Sequence, residues 1–209
     1  MAWGANNSVF DMKKLLPLLL AAPLLTAESH AAGRDILDPL SGSYNHVGVG
    51  YVAGDYGYSA GIVNASVALG RVPYLFAVTT LGGSDDVGDN NYAGLGIGFR
   101  IHTSQATSVD IDLGYALQKV DGLEDNHMIA LGLGFRAAAT DSITLVGRVR
   151  YFISNIAIYT NAIYAENFTE ISFGPSFYVN DRFSIDANLS KNIGQYDDFR
   201  YSLSATYHF

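Results

Sequence analysis

YSLSATYHF, residues 201–209, alternates without a break. Tyr201, Leu203, Ala205, Tyr207 and Phe209 fall on one side of a period-2 repeat, and Ser202, Ser204, Thr206 and His208 on the other. Successive side chains of a strand point to opposite faces, so the stretch reads as a strand with one apolar, aromatic face and one small, polar face. In a soluble sandwich the apolar face would be core. The rest of the chain decides whether it meets lipid instead.

Working back from residue 201, the chain resolves into segments of about ten residues separated by turn signals. They run 44–53, 60–70, 73–82, 92–103, 107–119, 127–138, 142–154, 168–180, 182–192 and 200–209. In SVDIDLGYALQ, Val109, Ile111, Leu113, Tyr115 and Leu117 oppose Asp110, Asp112, Gly114, Ala116 and Gln118. In MIALGLGFRA, Ile129, Leu131, Leu133 and Phe135 oppose Met128, Ala130, Gly132, Gly134 and Arg136. YAGLGIGFRIH and RFSIDANLS repeat the design, while YLFAVTTL is apolar on both faces. The polar face is dominated by Gly, Ser and Asn with Arg or Asp. Small residues and opposed charges suit a tight closed interior better than a wet outer surface, so the apolar face is assigned to lipid. Strands of this length match tilted transmembrane strands, and only a closed barrel leaves no backbone group unsatisfied in lipid.

Connection lengths agree. RVP, TSQAT, AATDS and NDR are short; AGDYGYS, GSDDVGDNN, VDGLEDN, SNIAIYTNAIYAEN and IGQYDDF alternate with them and are longer. Ten strands put every short connection on the side of the termini, as in barrels with short periplasmic turns and longer outer loops. The expected fold is therefore all-β: a closed antiparallel transmembrane β-barrel over residues 44–209. Eight strands is the alternative count, and it requires two segments to be merged or discarded.

Composition narrows the function. The chain has no cysteine, which removes disulfides, thiolate chemistry and the usual structural zinc sites. A formal net charge of −8 leaves no basic stripe for nucleic acid. The one long apolar run lies near the start: Lys13 and Lys14 precede Leu15–Leu25, and Ser29-His30-Ala31 supplies small residues for cleavage. Residues 1–31 thus read as a signal peptide, with 1–11 as an extension from an upstream start, and residues 32–43 as a periplasmic lead.

Signal peptide, glycine-rich alternating strands such as GLGIGFR and GLGFR, and a terminal strand ending Tyr207-His208-Phe209 resemble the small outer-membrane β-barrels of Gram-negative bacteria, the OmpA/OmpX/OmpW-like class. That resemblance implies residence in the bacterial outer membrane, contact with its lipid and lipopolysaccharide, and no cofactor. It also implies that Tyr201, Leu203, Tyr207 and Phe209 form the insertion signal read by the barrel-assembly machinery.

The inward positions carry Arg100, Asp110, Asp112, Arg136, Arg148, Arg150, Glu170 and Asp186. Folding about the connections sets Arg100 opposite Asp110, Asp110 near Arg136, and Arg150 near Glu170, a charge network filling the lumen. The expected role is a non-enzymatic surface or structural protein with a largely plugged polar lumen. A narrow channel lined by Arg148 and Arg150 is the alternative. An outer-rim hydrolase built on His127 ranks third, because no nucleophile signature accompanies that histidine. The outer loops are acidic without the spacing of a calcium loop, so no metal is expected. Ile158, Tyr159, Ile163 and Tyr164 in the fourth outer connection read either as an extension of the seventh and eighth strands above the membrane or as a contact surface for a host or partner protein.

Overall fold

The computed structural model describes residues 44–84, 88–104, 106–122, 125–154, 167–194 and 198–209. The signal-peptide and lead assignments, and the proposed contact residues at 158–164, lie outside them. Ten strands form one closed antiparallel barrel: β1 (His46–Gly54), β2 (Ser59–Ala68), β3 (Pro73–Ser84), β4 (Gly88–His102), β5 (Thr107–Val120), β6 (Asn126–Thr140), β7 (Ile143–Ser154), β8 (Phe168–Asn180), β9 (Phe183–Ile193) and β10 (Phe199–His208). Each strand pairs with its sequence neighbours, and β1 closes the ring against β10 from His46↔His208 to Gly54↔Arg200. The eight-strand count is thereby excluded.

Stepping from partner to partner, Tyr178 beside the β8–β9 turn, on the side of the barrel where β10 ends, leads through Thr206, Asn64 and Gly94 to Ser154, the last residue of β7 at the opposite rim. The strands are therefore strongly tilted, as closure of a barrel demands. Turns at 141–142 and 181–182 are tight. The outer hairpin of β3 and β4 runs farther than its polar composition suggests, because pairing continues to Ser84↔Gly88 and leaves only 85–87 between the strands. Between β1 and β2, Tyr56 and Gly57 both adopt left-handed backbone (φ 58 and 68) in a turn at Asp55–Gly57. The Asp55 carboxylate accepts from the Phe199 amide at 2.8 Å, tying this turn to the start of β10.

The large apolar side chains lie outside. Leu133 is 56% exposed, Leu203 59% and Tyr201 58%, with Leu95, Leu113, Leu131 and Phe173 in the same outward rows. Such a belt would be untenable in water, yet it is what a lipid-facing surface requires. Inward positions instead hold small and charged groups, with Arg100, Asp110 and Asp112 almost fully buried. The third segment's two apolar faces have a simple cause. Tyr74 and Phe76 of β3 point inward and lie over Gly98 and Gly96 of β4; a Cβ on either glycine would stand 2.2 Å and 2.5 Å from those rings.

Candidate functional site

Two carboxylates on β5 organise the lumen. Asp110 stands directly opposite Arg100 of β4, whose Nε donates to it at 2.7 Å. Arg136 of β6 donates to the other oxygen at 3.2 Å. Tyr44, which precedes β1, reaches past β2 and β3 to complete the group: its ring lies 3.3 Å from the Arg100 guanidinium, its hydroxyl donates to Asp110 at 3.4 Å, and it packs on Tyr74. A guanidinium over an aromatic face in a dry site is an attraction in its own right.

Asp112, one step toward the outer side, faces β7 across β6. Arg150 donates to it at 3.2 Å and Arg148 lies 3.6 Å away. The reach is possible because β6 offers Gly132 and Gly134 there. A Cβ on Gly132 would sit 2.3 Å from an Asp112 oxygen. Glycine on the inward face of β6 is thus clearance for its neighbour's charge.

The remaining predicted lumen residues fall elsewhere. Arg150 does pair in register with Glu170, but its recorded ion pair is with Asp112 and its guanidinium lies 5.2 Å from the Phe76 ring. Asp186 accepts hydrogen bonds from Ser184 and from Thr206, and Ser184 also contacts His208 at 3.0 Å. Sequence reasoning missed Tyr44, Tyr74 and the β5-to-β7 pairing; the alternating glycines of ALGLGFR (130–136) beside an Asp-bearing strand were the available signal. Tyr201, Leu203, Tyr207 and Phe209 share the outward face, and Tyr207 packs on Phe183 and Phe209.

No family model matches the sequence, and no curated protein matches it. Solved structures do. The KdgM porin in complex with disordered oligogalacturonate superposes with TM-score 0.50 at 12% identity, covering 78% of this chain and 99% of that one. The translocator domain of the autotransporter NalP from Neisseria meningitidis gives 0.49 at 13% identity over 95% and 96%, and Ail of Yersinia pestis gives 0.40 at 12% over 78% and 97%. The KdgM likeness concerns the fold, and the fold carries a lipid-facing belt. The chain is a bacterial outer-membrane β-barrel.

Within this outer-membrane barrel, accessibility changes along the lumen. At the periplasmic end the inward side chains are buried on nearly every strand: Ser66, Tyr74, Arg100, Ser108, Thr144, Ser184 and His208 are examples. Nearer the outer side, Asn64 of β2, Ser172 of β8, Asn188 and Ser190 of β9, and Ser202 and Ser204 of β10 are only half-buried. On the outer part of the β4–β8 wall, Phe152 stacks on Phe168 (4.5 Å, 11°) beside Ala116, Met128, Ala130 and Tyr92. His127 points outward, bonded through Nδ1 to the Tyr115 hydroxyl, and Met128 behind it faces the lumen. Among the described residues no group of three or more His, Asp or Glu could hold a metal ion.

Proposed function

We propose that this barrel is a non-enzymatic surface protein whose lumen is closed at its periplasmic end. The observation carrying the reading is the floor itself. Tyr44, Tyr74, Arg100 and Asp110 interlock on one side, and His46, His208 and Tyr178 meet on the other, with His46 and His208 6.0 Å apart and Tyr178 5.3 Å from His208. A ten-stranded interior is only slightly wider than one that side chains fill, so such a layer suffices to block passage. Outer-leaflet lipid and lipopolysaccharide surround the apolar belt in this reading. The barrel-assembly machinery recognises the outward aromatics ending at Phe209, and a host or partner protein meets the outer loops.

A narrow anion-preferring channel is the second reading, favoured by Arg148, whose side chain is 24% exposed inside the barrel. Planar-bilayer recording separates the two. The refolded protein, shown to be folded by its heat-dependent gel mobility, is expected to be silent, and Tyr44→Ala/Tyr74→Ala to show discrete openings. Openings in the unmodified protein, with an anion preference that falls in Arg148→Ala/Arg150→Ala, would replace the closed floor with the channel.

A further inference from the structure

The chain enters β1 from the lumen side. Asn45 is held at the wall: its carbonyl accepts from the Phe209 amide at 3.0 Å, and its side-chain oxygen accepts from the Ala68 amide at 2.8 Å. One residue upstream, the Tyr44 ring already lies 3.3 Å from the guanidinium of Arg100, three strands round the ring on β4. The backbone bends at Tyr44 and Asn45, and that bend turns the chain away from the wall. Whatever precedes Tyr44 therefore starts from the mouth of the lumen.

That mouth is short of polar partners. Ser66 near the end of β2, Ser108 at the start of β5 and Thr144 at the start of β7 all point inward and are almost fully buried. Among the described residues their hydroxyls take no hydrogen-bond partner, and neither does that of Tyr74. Leaving a buried hydroxyl unpaired is costly, and native structures rarely do so. Charge is also unbalanced there. Arg100 and Arg136 share the single carboxylate of Asp110, and Arg136 keeps a partly exposed side chain.

The six residues before Tyr44 are Asp38, Pro39, Leu40, Ser41, Gly42 and Ser43. All but Pro39 bring both a backbone donor and an acceptor, and Leu40 is the one large apolar side chain among them. At about 3.3 Å per residue, six extended residues span roughly 20 Å. Ten strands about 4.8 Å apart and tilted by about 40° close into a ring roughly 20 Å across, so the segment is long enough to reach the far wall. In a ring of ten, β6 stands opposite β1, with β5 and β7 on either side. The far wall therefore presents Arg136 between Ser108 and Thr144.

We infer that residues 38–43 dock across the periplasmic end of the lumen as a crossbar anchored by Tyr44. Ser43 and its backbone meet Ser66 beside the entry, the middle of the segment meets Ser108 and Thr144, and Asp38 supplies Arg136 with a second carboxylate. The crossbar rests on the closed-floor reading and deepens it: the barrel is sealed in cis by the chain that leads into it.

The chain has no cysteine, so engineered pairs report without background. In the full chain refolded in detergent micelles, Leu40→Cys is expected to form a disulfide with Ser108→Cys or Thr144→Cys under mild oxidation, and none with Ser202→Cys in the outer half of the lumen. Leu40→Cys alone leaves every strand unchanged. A hydrophilic maleimide should label it roughly tenfold or more slower in the folded protein than in the urea-unfolded chain, and Tyr44→Ala should remove that protection. Labelling as fast as in the unfolded chain, without cross-links in protein of folded gel mobility, would overturn the crossbar. Beside a silent bilayer that result would leave the closed floor standing, with water on the hydroxyls; beside discrete openings it would remove the floor as well. Protection unchanged in Tyr44→Ala would overturn the anchor, and cross-linking to Ser202→Cys instead would overturn the placement.

Discussion

Asp110→Asn is the sharpest test of the lumen network. The substitution keeps the side chain's shape, so it opens no cavity and removes only charge. Asp110 and Arg100 are each 1% exposed, and their contact is 2.7 Å, with a second at 3.3 Å. Removing one partner of a buried pair leaves the other charge uncompensated, which costs about 3–5 kcal/mol. Arg136, 15% exposed, can draw on lumenal water, and its loss adds at most about 1 kcal/mol. The asparagine oxygen still accepts one bond from Arg100, which favours the lower end. The expected loss is therefore about 3 kcal/mol, roughly 150-fold in the folding equilibrium constant. Equilibrium unfolding in urea, in lipid vesicles and read by heat-dependent gel mobility, measures it. Asp186→Asn is the internal comparison: its partners are the hydroxyls of Ser184 and Thr206, so its loss is expected to be only about 1 kcal/mol. Arg100→Met combined with Asp110→Leu should recover much of the stability, since no buried charge remains. Equal shifts for Asp110→Asn and Asp186→Asn, or a shift below about 1 kcal/mol for the former, would refute the reasoning.

Gly132→Ala places a methyl group 2.3 Å from the Asp112 oxygen, and Arg148 and Arg150 prevent that carboxylate from moving aside freely; a loss of about 1–3 kcal/mol is expected in the same assay, against little change for Gly61→Ala, where the nearest atom is 3.9 Å away. Leu133→Arg puts a cation at the middle of the lipid-facing row of β6 and should cost about 2–4 kcal/mol in vesicle refolding, with Ser202→Thr on the inner face near neutral. His127→Ala breaks the bond to Tyr115 at the outer edge of the belt and is expected to leave folded gel mobility and bilayer behaviour unchanged; loss of a lipid- or peptide-cleaving activity in that variant would instead establish the hydrolase.

Strand number and register were legible because both follow from one periodicity. The alternation of Val109 to Leu117 against Asp110 to Gln118 fixes which face each residue takes, and folding about TSQAT then sets Arg100 against Asp110, where the register has them. Partner choice was not legible where a side chain passes over a strand. Arg150 and Glu170 are register partners, yet a long guanidinium can lie along the wall, and Gly132 gives it and Asp112 the room to meet. Tyr44 was read as the first residue of a strand. It lies outside the ladder, and its placement on Arg100 depends on barrel curvature, which no local pattern carries.

The ion pairs also answer why the register is unique. Sliding β5 by one residue against β4 and β6 would turn Asp110 and Asp112 outward into hydrocarbon and bring Ile111 and Leu113 into the lumen, since strand faces alternate strictly. A charged side chain on the lipid face costs several kcal/mol near the midplane, and the stranded arginines of β4, β6 and β7 would add their own penalty inside. Apolar residues alone would penalise the slip less, because a leucine turned inward merely loses lipid contact. Two aspartates serving four arginines on three strands therefore act together as a registration device at the middle of the sheet. On that argument, replacing the whole set with apolar residues of similar volume should preserve stability while broadening the folded population into more than one register. Cross-strand disulfide trapping at engineered cysteine pairs would detect it: a cysteine at Val109 trapping with one at Ile101 alone, as now paired, indicates a single register, and trapping with one at position 100 or 102 as well indicates the one-residue slip.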